Sequence, residues 1–396
     1  MHILVLNRCY PPEVGATGRV LRDLARVWVQ RHRVTVLTGR PSDGPERYPY
    51  YWVCRSEDEG VVVERVGSTA FSRRRMFGRL ADYLSYMVLA FLRTLTIRPR
   101  PDVLMAMTDP PLTSLIGAIV AKLRGIPWIY NIQDLHPDMA VAAGIVKPGT
   151  FVSLWERLHR WSLRQARRVV VLGEDMRDRV VAKGVDPDRV IVIRGGTARI
   201  NPPADSDHPV IREIRGDFSF VLVHAGNIGF AGAWETLLEA FRQVTEREIG
   251  LVFVGDGSRR AWVEKQADGL PNVRFRPYYP ETLLPYVLIS ADLHVVTLRR
   301  GLEGLVVPSK VYSVLMVGRP VLAIVPPESD VARIVQAYGC GLVTDPDDPG
   351  TIAQAIRWVR AHPAALAEMG LRARTAGQFF DRQRLAEEFM RAVETL

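Results

Sequence analysis

Short runs of aliphatic and β-branched residues alternate with longer stretches of helical periodicity along the whole chain. The runs predict strands near residues 2–7, 33–38, 61–66, 102–107, 127–132, 168–172 and 189–193. A second series falls near 219–224, 250–254, 273–276, 292–297, 320–324 and 341–343. Apolar residues at helical spacing predict helices over 152–166, 232–247, 281–289, 329–337 and 351–361. This alternation predicts an α/β fold, with parallel sheets wrapped by helices. The polar, proline-containing stretch from Ile200 to Asp207 reads as a linker, so two doubly wound domains are expected. Such sheets bind ligands outside the carboxyl ends of their strands, and the loops there carry the candidate chemistry.

Each half opens on a strand, a glycine turn and a helix. In the first half, His2 to Asn7 lead through Gly15 and Gly18 to a helical stretch containing Leu21, Leu24, Ala25 and Trp28. In the second, Phe218 to His224 lead through Gly226, Asn227, Ile228 and Gly229 to Leu237, Leu238 and Phe241. A glycine turn before a helix presents backbone N–H groups and the positive end of the helix dipole, which suits phosphate. A dinucleotide is not expected. Its fingerprint needs G-x-G-x-x-G after the first strand and an acid about 20 residues later. Here Glu13 occupies the first glycine's place, and the second strand ends in Thr38-Gly39-Arg40.

Charge changes the picture only in the first half. The net charge of +9 is the sum of 31 Lys+Arg against 19 Asp+Glu in residues 1–200, and 21 against 24 in residues 201–396. Residues 71–100 hold seven arginines (73, 74, 75, 79, 93, 98 and 100) against Asp82 alone, interleaved with Phe71, Phe77, Leu80, Tyr83, Leu84, Tyr86, Met87 and Phe91. Peripheral contact with an anionic membrane is expected there; no nucleic-acid motif accompanies the charge. Cys9, Cys54 and Cys340 form neither a zinc pattern nor a disulfide framework, pointing to a reducing cytoplasm. The apolar N-terminus meets Arg8 and a Pro-Pro pair too soon for a signal peptide, and no run approaches the roughly 18 apolar residues of a transmembrane helix. The expected location is the cytoplasm, at the inner face of the cell membrane.

Several segments resemble glycosyltransferase family 4. They are Tyr10-Pro11-Pro12-Glu13-Val14-Gly15, Leu251 to Gly257, Val307-Pro308-Ser309-Lys310-Val311-Tyr312, and Met316 to Ala323. Asp134-Leu135-His136-Pro137-Asp138 is similar to the Asp-Leu-Trp-Pro-Glu segment of bacterial enzymes that build O-antigen, capsule and colanic-acid-type polysaccharides. The resemblance implies the GT-B architecture of two Rossmann-like domains facing a central cleft. Residues 1–200 would bind the acceptor and 201–378 the donor, with a last helix, 379–396, packing back on the first domain. It also implies sugar transfer from a nucleotide-sugar with retention of configuration and no metal or cofactor, UDP being favoured over GDP by family habit.

Site residues follow by position. The resemblance brings Gly15 and Gly18 to the donor diphosphate and makes Gly226, Asn227, Gly229 and Gly255 donor-side turns. Ser309 and Lys310 open the donor-site helix, with Lys310 neutralising charge on the departing diphosphate. Glu303 is the nearest candidate for the first acid of the family's Glu-x7-Glu motif. Alignment on Gly318, however, puts Leu305 at that place and Ser313 where the second acid binds the ribose. Glu328 is a further candidate for ribose or sugar. Asn227 and Ala231 replace the usual basic pair, so amides near Gly226–Gly229 are expected to do more, with Arg299, Arg300 or Arg194 compensating. Gln133 replaces the histidine of the family's frequent His-Asp pair, which leaves Asp134 and His136 between acceptor and donor sugar. Glu13 is placed to orient or deprotonate the acceptor hydroxyl.

The expected activity is retaining transfer of a hexosyl or N-acetylhexosaminyl group to a glycan or polyprenyl-diphosphate-linked acceptor in cell-surface polysaccharide biosynthesis. The alternatives are a soluble natural-product acceptor, a GT-B-fold sugar-nucleotide epimerase, and a non-catalytic partner protein.

Overall fold

A computed structural model describes the chain apart from residues 14, 42–51, 70, 72–75, 204 and 206. Three arginines of the basic segment, at 73, 74 and 75, lie outside the described residues. The chain divides into two compact units, unit 1 comprising 1–172, 176–194 and 383–396, and unit 2 comprising 173–175 and 195–382.

Unit 1 is built on β1 (His2–Leu6), β2 (Arg33–Thr38), β3 (Val53–Asp58), β4 (Val61–Val66), β5 (Val103–Ala106), β6 (Trp128–Asn131), β7 (Arg168–Val171) and β8 (Val190–Val192). They form one sheet in the order β3-β4-β2-β1-β5-β6-β7-β8. All neighbours are parallel except β3 and β4, which pair antiparallel. Strand β3 was absent from the sequence pattern because Arg55, Ser56 and Glu57 make it a polar, exposed edge. Its hairpin turns through Glu59 and Gly60, both at positive φ (50° and 87°), as a tight two-residue hairpin requires.

Strands β1, β2 and β5 are buried at nearly every position because helices cover both faces. On one face the Ala16–Trp28 helix packs Leu21, Leu24, Ala25 and Trp28 into a core shared with Leu385, Phe389, Met390 and Val393 of the Arg382–Glu394 helix. Trp28 donates Nε1–H to Ala386 O at 3.0 Å, and its ring lies 5.1 Å from that of Phe389. The Met76–Thr96, Thr113–Arg124 and Thr150–Gln165 helices pack against one another in turn.

Unit 2 carries β9 (Phe220–Ala225), β10 (Ile249–Val254), β11 (Val273–Arg276), β12 (Leu293–Thr297), β13 (Val321–Ile324) and β14 (Gly341–Thr344). The sheet is parallel throughout, in the order β11-β10-β9-β12-β13-β14. Its core joins Leu237, Leu238 and Phe241 of the Trp234–Gln243 helix to Phe253, Leu293 and Leu322. Thr197 bridges Asp381, which draws Gly195 onward into unit 2, some residues before the expected linker at 200. Among the described residues no helix is long and apolar enough to cross a membrane.

Candidate functional site

In unit 1 the strand order reverses beside β1, with β2 on one side and β5 on the other. The loops after β1 and β5 part at this switch point, which is where doubly wound sheets bind. A cavity of about 310 Å³ opens there, lined by Arg8, Cys9, Gly15, Thr17, Asp82, Tyr83 and Asp109. The Arg8 guanidinium lies between Glu13 (3.4 Å) and Asp109 (3.9 Å) and 5.3 Å from the Tyr83 ring centroid. Glu13, expected at the acceptor hydroxyl, is 3% exposed and is a buried partner of Arg8. Buried Asn7 donates Nδ2–H to Cys9 O at 2.7 Å and folds the loop back. A Cβ at Gly15 would fall 2.3 Å from Cys9 Sγ, and one at Gly18 would fall 2.9 Å from Cys9 O. Both glycines are therefore demanded by packing on Cys9, and that close packing brings the helix N-terminus to the cavity.

Gln133 and Asp134 follow β6. Gln133 donates Nε2–H to Asn131 Oδ1 at 2.9 Å. Burial first, and the Asp109 carboxylate second, push Asp134 up to about 6, within reach of proton transfer near neutrality. His136 is a different case. It is 8% exposed, stacked on Trp155 at 5.7 Å, and lowered to about 4 by burial. The structure packs His136 against Trp155, where Nδ1 has no partner among the described residues.

The basic, aromatic segment resolves into separate roles. Asp82 is buried and accepts from Thr69 Oγ1 (2.8 Å) and from Phe71 N (3.0 and 3.1 Å). Arg93 is a two-pronged partner of buried Glu64, at 2.8 and 2.9 Å, and Arg100 caps the Gly125 carbonyl at 2.7 Å. Beside these anchored residues the helix keeps an exposed apolar stripe. Phe77, Leu80, Leu84, Val88 and Leu92 recur at helical spacing along the Met76–Thr96 helix, exposed by 42% at Leu92 to 83% at Phe77.

In unit 2 the order reverses between β9 and β12. Gly226 follows β9 at φ +136°, and Gly255 follows β10 at φ +144°; a Cβ on Gly255 would fall 2.1 Å from Gly226 O. The two turns pack face to face. Gly226 N donates to Val254 O (2.7 Å) and Ile228 N to Asp256 O (2.8 Å). That pairing commits two amides of the turn and, among the described residues, leaves Asn227 N and Gly229 N uncommitted.

Lys310, the first residue of the Lys310–Met316 helix, lies across the turn. A Cβ on Gly226 would sit 2.1 Å from its Cε, and its Nζ donates to Asn227 O at 3.4 Å. No carboxylate among the described residues pairs with it, and burial lowers it to about 8. The neighbouring His224 escaped the sequence reading because it sits inside an apolar strand. It is buried and neutral, lowered to about 3 by burial and then by Lys310, and its Nε2 has no partner among the described residues.

The other donor-side candidates are less engaged. Ser309 precedes the helix without capping it, and the Ser313 hydroxyl donates back to Lys310 O at 2.9 Å. Glu303 caps its own turn, accepting from Gly301 N at 2.7 Å, while Leu305 is buried in the core. Glu328 is exposed, 3.9 Å from Arg300, which is itself held by Asp345 and Asp347. Arg300 is thereby a structural cation. Asp175, which no motif marked, accepts from Gly304 N (3.0 Å) and Asp330 N (3.1 Å) and fixes the loop that carries Glu303.

Two doubly wound units, each with its polar cluster at the switch point of its sheet, define the GT-B class. Residues 15–196 match the family described as a glycosyl transferase 4-like domain, and residues 219–362 match the glycosyl transferases group 1. The chain belongs to the family-4 glycosyltransferases. The probable glycosyltransferase WbjE of Pseudomonas aeruginosa is 28% identical over 294 residues, 72% of this chain and 74% of that one. The putative colanic acid biosynthesis glycosyl transferase WcaI of Escherichia coli is 26% identical over 378 residues, 90% and 91% of the two chains. HepE of Anabaena, solved in complex with UDP and glucose, shares the fold at a TM-score of 0.72 and 17% identity, over 100% of this chain and 99% of that one.

Proposed function

We propose that this glycosyltransferase moves a hexosyl or N-acetylhexosaminyl group from a UDP-sugar, with retention, to a hydroxyl of a glycan or polyprenyl-diphosphate-linked acceptor in cell-surface polysaccharide biosynthesis. One observation carries the donor half: a half-buried lysine with no carboxylate partner among the described residues lies over a glycine turn whose amides at 227 and 229 remain uncommitted. A partly desolvated cation of this kind lacks only an anion, and a diphosphate supplies one. The UDP complexes of HepE and the colanic-acid assignment of WcaI support the donor and the pathway class.

Departure of the diphosphate, stabilised by Lys310, develops positive character at the anomeric carbon. The acceptor hydroxyl attacks from the same face and passes its proton to the leaving phosphate oxygen. Asp134 and Asp109 orient that hydroxyl from unit 1, and no metal takes part. Lys310→Ala is expected to lower turnover about 10²–10³-fold, the scale for losing one transition-state charge partner. Near-normal transfer by that variant overturns the mechanism.

The acceptor half rests on the exposed stripe of the Met76–Thr96 helix, which suits insertion into an anionic leaflet. Co-sedimentation with anionic vesicles is expected, weakened by salt and lost in Leu80→Gln/Leu84→Gln/Val88→Gln; unchanged sedimentation favours a soluble acceptor. The buried Leu305 and the back-bonded Ser313, standing where acids are usual, favour one other reading, a non-catalytic partner protein. That reading prevails if no nucleotide-sugar raises the melting temperature.

A further inference from the structure

We infer a separate anion-binding site on unit 1, at the opposite end of the sheet from Arg8 and Asp109. Trp128 begins β6, Arg167 immediately precedes β7, and Arg189 immediately precedes β8. The register pairs Ile129 with Arg168 and Val169 with Val190, so these three residues lie side by side at the amino ends of their strands. Together with Lys122 and Gln165 they line a cavity of about 540 Å³ whose wall, among the described residues, holds no carboxylate.

The cations there are of two kinds. Arg189 donates to Arg164 O at 3.0 Å, Arg100 to Gly125 O at 2.7 Å, and Arg124 to Thr94 O and Ile97 O at 2.7 and 3.2 Å. These arginines cover the carbonyl ends of three helices, which would otherwise repel an anion. Lys122 and Arg167 have no ion pair or side-chain hydrogen bond among the described residues, though both stand at the cavity. Trp128, buried in the same wall, has an Nε1–H without an acceptor among the described residues. Two spare cations, a third beside them, a carboxamide and an indole N–H suit a phosphate-bearing anion. Two sources fit: a phospholipid headgroup, since Leu123 is exposed next to Lys122, or a soluble pyrophosphate. The site does not depend on the donor reading.

The test compares Lys310→Ala with Lys310→Ala/Lys122→Glu/Arg167→Glu, so that pyrophosphate held at the donor side is removed from both. Calorimetric titration with inorganic pyrophosphate should show binding in the first and at least about hundredfold weaker binding in the second, roughly tenfold per cation. Sedimentation with phosphatidylglycerol vesicles separates the sources: loss in the charge-reversed chain assigns the headgroup, and retention alongside lost pyrophosphate binding assigns the soluble anion. Indistinguishable pyrophosphate titrations overturn the site. The neutral pair Lys122→Gln/Arg167→Gln repeats the comparison if the reversed chain melts early.

Discussion

Lys310 and Asp134 are both held away from their usual protonation behaviour by burial, in opposite senses, and this makes each testable. Lys310 is lowered to about 8 in the fold, below its unfolded value near 10.5. The unfolded chain then binds more protons between those values, so stability rises with pH across that window. Lys310→Met should flatten the rise in melting temperature between pH 8 and 10.5. A bound diphosphate should restore the charge, so calorimetry of UDP binding near pH 8 should register proton uptake that Lys310→Met abolishes. Asp134 is raised to about 6 from an ordinary 3.8. Its folded form holds the proton more tightly, so it stabilises below pH 4 and that contribution is lost as pH rises through about 6. Asp134→Asn should therefore melt no earlier than wild type at neutral pH while losing transfer; a lower melting temperature there overturns the burial argument.

Among elements, the Met76–Thr96 helix shows how one segment divides its residues between anchoring and exposure. Asp82 ties its first turns to Thr69 and Phe71, and Arg93 ties its last to Glu64. Asp82→Ala removes the buried carboxylate that accepts from Thr69 and Phe71 and should cost about 1–3 kcal/mol, read as a lower urea midpoint. Asp82→Asn should cost less. The glutamine substitutions along the exposed stripe should leave that midpoint in place, because those side chains contribute little to the core. The β3–β4 hairpin makes a related point. Its edge strand is polar outside, and the register with β4 rather than any periodicity defines it.

For the whole molecule, the last helix belongs to a core assembled hundreds of residues earlier. Phe389→Ala removes the ring packed on Trp28 and should cost about 3–5 kcal/mol. Calorimetry should show the transition of unit 1 lowered while that of unit 2 stays in place; a shift of both transitions together rules out separate cores. Most strands were legible from the sequence because a parallel sheet buried on both faces is apolar at nearly every position. The glycine turns and Lys310 were legible too, since steric demands and helix starts leave local marks.

Arg8, Asp109, His224 and Asp175 left no such mark. Each derives its role from a partner distant along the chain: Asp109 beside Arg8, Lys310 near His224, Gly304 on Asp175. The inward turn of His136 onto Trp155 is of the same kind. By itself, then, the sequence determined the α/β alternation, the two-part plan and the sugar-transferase family, because those rest on local periodicity and short motifs. Only the tertiary structure decided which charged side chains are buried partners and which are spare, because burial and ion pairing depend on residues that folding alone brings together.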